Sequence, residues 1–338
     1  MYESQYGFRK NRSTIDAITE LTGNIITNLD SKKFNIVVYL DLSKAFDTID
    51  HNILLFKLYN YGIRGICYDW FKDYLKDRKH CVKINREHLT TFSETNTIST
   101  GVPQGSVLGP LLFLIYVNDL QNSLDMMKSI NFADDTNLLF SNLDIDELFI
   151  EVEYDLQNAL DWFRANKLSV NATKTCYMVF KPRGKKDIPI LNKLTMDDII
   201  LKEVKSTKFL GINIDNKLNW TEQIYHVNTK LHQCEYLLNK LHSLLPEESL
   251  RTIYCAHALS HLNYGINLWG CMSSETQLKI LKNSQKRCVS KISKTGGNIE
   301  VNTDLYYKKV RVLDMASLIS LELSKLAFNI KIMNYQKV

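Results

Sequence analysis

The pattern of hydrophobic and polar positions predicts strands mixed with helices in the first two thirds of the chain and helices alone after that. Residues 36–40 are apolar and end at Asp41, which is typical of a strand buried on both faces. Apolar residues recur at helical spacing after Ser13, and Asp16 three positions later predicts a capping box. The pattern therefore indicates an α+β fold followed by an α-helical segment.

The remaining elements follow from the same periodicities. Apolar spacing predicts helices at residues 53–59, 68–75, from 106, and at 145–165, 226–245, 247–262, 274–292 and 311–332. Alternating or continuous apolar runs predict a hairpin that pairs 81–84 with 95–98, a strand at 175–180 and a hairpin at 204–214. Gly296 and Gly297 are interpreted as a linker.

The most informative residues are the adjacent aspartates Asp134 and Asp135, flanked on both sides by apolar positions. This arrangement predicts two short strands with the carboxylates at the turn between them. Adjacent carboxylates repel, and a hard divalent cation such as Mg²⁺ is the usual partner that stabilises them. If this hairpin packs beside the strand that ends at Asp41, three carboxylates meet, which is enough to hold two Mg²⁺ ions. The alternative is three unrelated surface aspartates, and spacing alone leaves both open.

Several segments resemble a known family. YLDLSKAFD (39–47), GVPQGSVLGP (101–110) and FADD (132–135) resemble, in this order, the A, B and C motifs of reverse transcriptases from non-LTR (LINE-type, jockey-like) retrotransposons. Three more segments resemble further blocks of the same enzymes: QYGFR (5–9), LSVN with a following lysine (168–174) and KFLGI (208–212). The resemblance extends from about residue 5 to residue 290.

The resemblance implies a right-hand polymerase: a palm made of an antiparallel sheet with helices, partial fingers and a helical thumb. It assigns partial fingers to residues 1–35, the palm with remaining fingers elements to 36–216, the thumb to 217–296 and a C-terminal helical extension to 297–338. Full enzymes of this type carry an earlier fingers segment that grips the triphosphate, and usually an endonuclease domain upstream. We expect neither in this chain, and no zinc knuckle or RNase H segment is recognisable in it.

The resemblance also implies roles at the metal site and for the incoming nucleotide. Asp41 and Asp134 would bind both metal ions, Asp135 would support the site, and the carbonyl of Leu42 would add a ligand. Phe46 would crowd the 2′ position of the sugar and so select dNTPs, because the 2′-hydroxyl distinguishes a ribonucleotide. The alternative for Phe46 is a phenylalanine of the core.

Further residues are implied to bind the nucleotide. Gln104 and Gly105 would line the nucleotide site, although a plain Pro-Gly turn before a helix explains Pro103 and Gly105 equally well. Lys174 would lie near the leaving pyrophosphate and neutralise charge or donate a proton there. The alternative is an exposed lysine.

Residues implied to contact the nucleic acid lie at both ends of the matching region. Phe209, Leu210 and Gly211 would hold the primer end, and the alternative is a buried strand with a glycine bulge. Arg9 and Arg12 would touch template phosphates, or simply face solvent. Basic thumb residues would contact the phosphate backbone without reading bases.

Composition limits the alternatives. Hydrophobic residues make up 45% and charged residues 23%, as in ordinary globular proteins, and the formal charge of +5 permits a nucleic-acid partner without requiring one. Seven scattered cysteines with no Cys-x-x-Cys pair argue against a disulfide framework or a zinc ribbon and fit a reducing interior. His257 and His261 are four apart, but no Glu follows the first, so we interpret them as ordinary helix residues.

The sequence therefore predicts an RNA-directed DNA polymerase that adds dNTPs to a DNA primer opposite an RNA template, with two Mg²⁺ ions or alternatively Mn²⁺. With no visible signal peptide and no apolar stretch longer than residues 111–117, we expect a soluble intracellular protein without a membrane partner. A second hypothesis is a catalytically inactive remnant that still binds nucleic acid. A third, weaker one is a group II intron protein or a telomerase. The sequence does not indicate an oligomeric state.

Overall fold

The computed structural model describes residues 1–86, 89–125, 127–185, 191–293 and 303–335. Two compact units make up the chain, Met1–Val204 and Lys205–Val338. The hairpin that we assigned to the end of the palm lies in the second compact unit, and the assignment of palm and thumb stays a prediction. Within the described residues, no helix has the length and apolar character needed to cross a membrane.

The first unit combines helices with short strands. Its helices are α1 (Thr14–Asp30), α2 (His51–Asn60), α3 (Ile66–Leu75), α4 (Leu108–Val117) and α5 (Ile145–Ala165), with a 3₁₀ helix at Asn118–Ser123. Its strands are β1 (Phe34–Leu40), β2 (Lys79–His80), β3 (Lys83–Arg86), β4 (Leu89–Phe92), β5 (Asn96–Thr97), β6 (Lys128–Phe132), β7 (Asp135–Asn142), β8 (Cys176–Phe180), β9 (Thr195–Met196), β10 (Ile199–Ile200) and β11 (Lys202–Glu203).

The second unit begins with a hairpin and continues with helices. The hairpin consists of β12 (Ser206–Phe209) and β13 (Ile212–Asp215). The helices are α6 (Thr221–Leu241), α7 (Glu247–Tyr254), α8 (Ser260–Asn263), α9 (Ile266–Met272), α10 (Glu275–Ile292), α11 (Thr303–Val310) and α12 (Met315–Tyr335), with a π-helical turn at Cys255–Leu259 between α7 and α8.

The central sheet of the first unit has the strand order β11-β8-β1-β7-β6. β1 lies in the middle and pairs antiparallel with β7 and β8, whereas β11 joins β8 in parallel. Every residue of β1 except Tyr39 is buried, since α1 packs on β1 and β6 while α4 and α5 contribute to the core that contains Ile36 and Val38. The predicted strand with two buried faces is therefore confirmed.

Local signals explain where several helices begin. Before α1, the Ser13 hydroxyl accepts from the Asp16 N–H (3.2 Å) and the Asp16 carboxylate accepts from the Ser13 N–H (2.7 Å), so the predicted capping box is confirmed. α5 has the predicted bounds, and its N-terminal amides are capped by Asp144. α4 begins at Leu108 instead of Ser106, whose hydroxyl accepts from the Gly109 N–H at 2.9 Å.

The predicted pairing of residues 81–84 with 95–98 is wrong. β3 pairs with β4, with Arg86 opposite Leu89, and β2 pairs with β5 farther out. The local pairing closes a shorter loop and therefore loses less chain entropy than the pairing that we expected.

Three helix predictions in the second unit also need correction. The predicted helix at 247–262 is divided by the π-helical turn, α9 was not predicted, and α11 precedes the last helix. Gly265, with φ +67°, lies in the left-handed region just before α9, which explains why no continuous periodicity runs through this segment. The Gly296–Gly297 linker lies outside the described residues.

One carboxylate holds the entry to α6. Asp215 is buried and accepts hydrogen bonds from the N–H groups of Lys217 (3.0 Å), Asn219 (3.2 Å) and Trp220 (2.8 Å). Trp220 is fully buried and has φ +62°, an unfavourable conformation for a residue with a side chain. The three bonds therefore stabilise a strained turn that starts the helical part of the unit.

We expect Asp215→Ala to lower the free energy of unfolding of the second unit by about 2–4 kcal/mol, because three backbone donors lose their acceptor around a buried tryptophan. Urea unfolding followed by Trp fluorescence measures this loss. The neighbouring exposed variant Lys217→Ala should change the free energy by less than about 0.5 kcal/mol. Equal stability of the two variants would contradict the proposed role of Asp215.

Candidate active site

The pairing of β1 with β7 brings together the two acidic segments that the sequence separates. The last paired residues are Leu40 and Thr136, so Asp41 and Asp135 each lie one residue beyond the end of this pairing. Asp134 precedes Asp135 in the turn between β6 and β7. All three carboxylates therefore lie at one end of the central sheet.

The pKa of Asp135 depends on its neighbours in this arrangement. Its side chain reaches solvent, but the surrounding protein still removes part of its hydration. This desolvation, followed by the negative charges of Asp134 and then Asp41, raises the pKa of Asp135 above its ordinary value. Since the folded state holds the proton more tightly than the unfolded chain, this group's contribution to stability is lost as the pH rises through the raised pKa. The three carboxylates therefore repel one another when ionised.

The donor set suits a hard divalent cation, because all three side chains offer carboxylate oxygens. Within the described parts of the chain, however, no three His, Cys, Asp or Glu side chains approach closely enough to hold a metal ion together. The nearest cationic contact of Asp41 is with Lys174, whose Nζ lies 3.8 Å from the Asp41 carboxylate. The carboxylates thus lie within electrostatic reach of one another without forming a closed ligand set.

The backbone of Asp41 is held by the segment that leads to β8. The Asp41 N–H donates to the hydroxyl of Thr175 at 3.3 Å, and the Asp41 carbonyl accepts from the Asn171 N–H at 2.8 Å. One residue further, Leu42 forms an isolated antiparallel bridge with Val170. The LSVN block and Lys174 therefore lie beside Asp41 because this segment extends the sheet past the end of β1.

A cavity of about 420 Å³ lies next to the carboxylates. Its lining residues come from four segments of the first unit: Phe8, Leu42, Lys44, Ala45, Phe46, Pro103, Gln104, Gly105, Pro110 and Asp134. Phe46 stacks on Phe113 with ring centroids 4.3 Å apart and contacts the ring of Phe8 edge-on at 6.5 Å. Phe46 is thus packed against the core and also forms part of the cavity wall, while its contact with a sugar stays a prediction.

The segment before α4 forms another wall of the cavity. The Gln104 side-chain amide donates to the Asp47 carboxylate at 2.9 Å, and Gly105 has φ +77°. At Gly101, φ is +85° and an added Cβ would lie 2.7 Å from the Asp47 carbonyl oxygen. The glycines therefore allow this segment to pass close to the residues that follow β1.

The residues expected to contact nucleic acid are placed in two different units. Arg9 donates to the carbonyls of Tyr2 (2.7 Å) and Gln5 (3.1 Å), so its guanidinium stabilises the N-terminal segment. Arg12 pairs with Glu3 at 2.6 Å and lies over the ring of Tyr6. Their contacts with a template stay predictions.

Phe209 is the last residue of β12, and Leu210 and Gly211 form the turn of the β12–β13 hairpin in the second unit. Leu210 has φ +45° and Gly211 φ +89°, and an added Cβ at Gly211 would lie 3.2 Å from the ring of Tyr264. The tight turn agrees with a glycine at this position, while the primer contact stays a prediction.

Several residues that contact the site have no role predicted from the sequence. Gln5, Phe8, Asp47 and Thr175 contact the carboxylate turn, the cavity or the backbone of Asp41. Gln5 and Phe8 belong to the QYGFR block, which carried a resemblance but no periodic signal. Gln5 bonds to a residue 128 positions away, a contact that no local pattern predicts.

Comparisons with known proteins agree with these observations. Residues 1–214 match the family described as "Reverse transcriptase (RNA-dependent DNA polymerase)". The chain is similar to the probable RNA-directed DNA polymerase from transposon BS of Drosophila melanogaster, with 28% identity over 85% of this chain and 32% of that protein. It is also similar to the RNA-directed DNA polymerase from mobile element jockey of Drosophila funebris, with 25% identity over 86% of this chain and 32% of that one.

The chain spans about a third of the length of these relatives. Apo telomerase from Candida tropicalis aligns with 98% of this chain and 57% of that structure, at 12% identity and a TM-score of 0.43, an overlap too loose to carry an argument. The α+β architecture and the resemblance to reverse transcriptases of non-LTR retrotransposons are confirmed. Enzymes of this kind generally use divalent metal ions. Because the match covers more than half of the chain, the protein belongs to the reverse transcriptase (RNA-dependent DNA polymerase) family.

Proposed function

We propose that this chain is the palm and thumb of an RNA-directed DNA polymerase of a non-LTR retrotransposon, which adds dNTPs to a DNA primer opposite an RNA template. One observation carries the proposal: the pairing of β1 with β7 brings Asp41 to the same end of the sheet as Asp134 and Asp135, and Asp134 helps to line a cavity of about 420 Å³ there. Cavities of this volume are typical of small-molecule sites. The assignment of fingers to residues 1–35, thumb to 217–296 and extension to 297–338 is part of the proposal.

Asp41 and Asp134 are the proposed ligands of two Mg²⁺ ions, with the carbonyl of Leu42 as a further ligand and Asp135 in support. When bound, the ions would activate the primer 3′-hydroxyl and stabilise the leaving oxygen. The raised pKa of Asp135 supports this assignment, because it arises from desolvation first and then from the charges of Asp134 and Asp41, which a bound cation would offset. Mn²⁺ suits the same oxygen donors.

The cavity is the proposed dNTP site. Phe46 would lie against the sugar and exclude a 2′-hydroxyl, and its stacking on Phe113 would keep the ring from moving aside. Gln104 and Gly105 would line the site, with the Gln104 amide oriented by Asp47. Lys174, near Asp41, would stabilise negative charge on the leaving pyrophosphate.

The nucleic acid partners complete the proposal. Phe209, Leu210 and Gly211 would hold the primer end, Arg9 would contact the template, and basic thumb residues would contact phosphates. The protein would work inside the cell, which agrees with the absence of a disulfide among its seven cysteines, all of which lie in described residues.

A second candidate function is nucleic-acid binding without catalysis. It is favoured by one observation: the described carboxylates do not form a closed ligand set, and Asp41 has Lys174 as its near cationic neighbour. A chain of this kind would bind primer and template without extending the primer.

Primer extension separates the two functions. With poly(rA)/oligo(dT), dTTP and Mg²⁺, we expect extension by the wild-type chain and a loss of at least about 100-fold in Asp134→Asn, since one proposed ligand of both ions is removed. Asp73→Asn, an exposed aspartate on α3, is the control and should retain activity. Gel-shift binding of the duplex without extension by the wild-type chain would instead support the second function.

The charge repulsion at the carboxylates predicts opposite effects of Asp135→Asn with and without metal. In EDTA at pH 7 we expect the variant to have a slightly higher Tm, of the order of 1 °C, because a like charge is removed. In Mg²⁺ it should be stabilised less than the wild type, since metal bound only by the folded state raises Tm.

The pH dependence of stability tests whether ionisation of Asp135 causes the difference in Tm between the wild type and Asp135→Asn. In EDTA, the stability of the wild type should fall relative to that of Asp135→Asn as the pH rises from about 4 through the raised pKa of Asp135. The variant lacks this titrating group. Thermal scans of both chains between pH 4 and pH 8 measure it. Parallel stability curves for the two chains would show that the carboxylates do not interact as proposed.

The sugar contact of Phe46 is tested by its substitution. We expect Phe46→Val to reduce the preference for dTTP over UTP by about tenfold or more, because the smaller side chain leaves room for a 2′-hydroxyl. The ratio of kcat/KM for the two nucleotides measures the preference. Phe46→Tyr keeps the ring and should keep the preference, so an unchanged ratio in Phe46→Val would assign the ring to the core alone.

A further inference from the structure

The side chain of Gln5 holds the backbone of Ala133 from two directions. Its carbonyl oxygen accepts from the Ala133 N–H at 2.9 Å, and its amide nitrogen donates to the Ala133 carbonyl at 3.3 Å. The same oxygen also accepts from the Gly7 N–H at 2.8 Å. Gln5 is only 6% exposed, so these bonds form where water does not compete freely.

Ala133 needs such support. It directly precedes Asp134 in the two-residue loop between β6 and β7, where Phe132 pairs with Asp135. Its φ is +56°, in the left-handed region, where a Cβ lies too close to the following carbonyl oxygen. Ala133 is also buried, at 8% exposure, so its N–H would be costly to leave without an acceptor. The Gln5 side chain supplies an acceptor for the Ala133 N–H and a donor for the Ala133 carbonyl.

The segment that carries Gln5 is itself fixed along β6. The Tyr6 N–H donates to the Asn131 carbonyl at 2.8 Å, and the Asn131 N–H donates to the Ser4 carbonyl at 2.8 Å. Gly7 lies so close to the turn that an added Cβ would be 2.3 Å from the Ala133 nitrogen. The N-terminal segment thus forms one more edge of the sheet and ends against the carboxylate turn.

We propose that Gln5 is a positioning residue for Asp134 and Asp135. It touches neither carboxylate and acts through Ala133, whose conformation sets the direction in which the next two residues leave the turn. The inference rests on the proposed function, because its consequence is that Gln5 sets the affinity of the carboxylates for a divalent cation. Hydrogen bonds to the backbone that carries metal ligands commonly have such effects.

The test uses Gln5→Met, which keeps the length and volume of the side chain and removes all three hydrogen bonds. Mn²⁺ binding, followed by electron paramagnetic resonance without nucleotide or primer, reads the site independently of activity. Hydrogen exchange of the Ala133 amide reads the turn independently of metal. Steady-state extension on poly(rA)/oligo(dT) adds kcat and the KM for dTTP.

We expect Gln5→Met to weaken Mn²⁺ binding by about tenfold or more. Exchange of the Ala133 amide should become faster, and kcat should fall while the KM for dTTP changes little. Gln5→Asn, whose amide is one methylene short of Ala133, should give the same result and serves if the Met variant is too unstable. The weaker binding, the faster exchange and the lower kcat share one cause: without the Gln5 hydrogen bonds, the turn populates conformations in which Asp134 and Asp135 are not positioned to bind the ion.

Two controls separate positioning from general destabilisation. Tyr116→Phe removes a buried hydrogen bond from the Tyr116 hydroxyl to the Asn166 carbonyl (2.6 Å) and does not touch the turn. Gln157→Met makes the same substitution on an exposed face of α5. Both controls should bind Mn²⁺ as the wild type does, even if Tyr116→Phe lowers Tm as much as Gln5→Met.

The outcomes distinguish this inference from the proposed function. If the wild-type chain binds Mn²⁺ and Gln5→Met and Gln5→Asn bind it equally well, the positioning role is overturned. If the wild-type chain binds no Mn²⁺ while the Gln5 variants still accelerate exchange at Ala133, Gln5 holds the turn but the metal function fails. A loss of Mn²⁺ affinity in Tyr116→Phe equal to that in Gln5→Met would reduce Gln5 to an ordinary stabilising residue.

Discussion

The mutual repulsion of Asp41, Asp134 and Asp135 is the constraint on which the rest of the first unit depends. Desolvation first, and then the negative charges of Asp134 and Asp41, raise the pKa of Asp135, so its ionised form opposes folding. The sheet holds the three carboxylates together all the same, because β1 is buried on both faces and pairs with β7 along its whole length. The burial of apolar side chains in the central sheet thus offsets the repulsion among the carboxylates at its end.

The walls of the cavity are held by the same core. Phe46 stacks on Phe113 of α4, and the segment before α4 is tied to Asp47 by Gln104. The N-terminal segment supplies Phe8 to the cavity and Gln5 to the turn. Each part of the site is therefore attached to a packed element, which is how rigid scaffolds position groups that lie on loops. A polar residue outside the site, Gln5, controls the turn that carries two of its carboxylates.

Local sequence patterns were sufficient to predict the elements that depend on neighbouring residues. The capping box of Ser13 and Asp16, the bounds of α5 and the buried character of β1 all follow from patterns within a few positions. The pairing within residues 79–97 and the π-helical turn at Cys255–Leu259 did not follow, because competing pairings and helix registers differ little in local preference. The division between the two compact units falls after Val204, and the β12–β13 hairpin is bonded to the start of α6 through Asn213 and Gln223.

The sequence by itself determined which residues could do chemistry: adjacent aspartates at a turn, a third aspartate after a buried strand, and motifs in a fixed order. Tertiary structure alone decided that Asp41 lies at the same end of the sheet as Asp135, that Thr175 holds the Asp41 backbone and that Gln5 holds Ala133. The physical reason is that side-chain periodicity depends on the nearest few residues, whereas contacts between segments far apart in the chain depend on the packing free energy of the whole sheet.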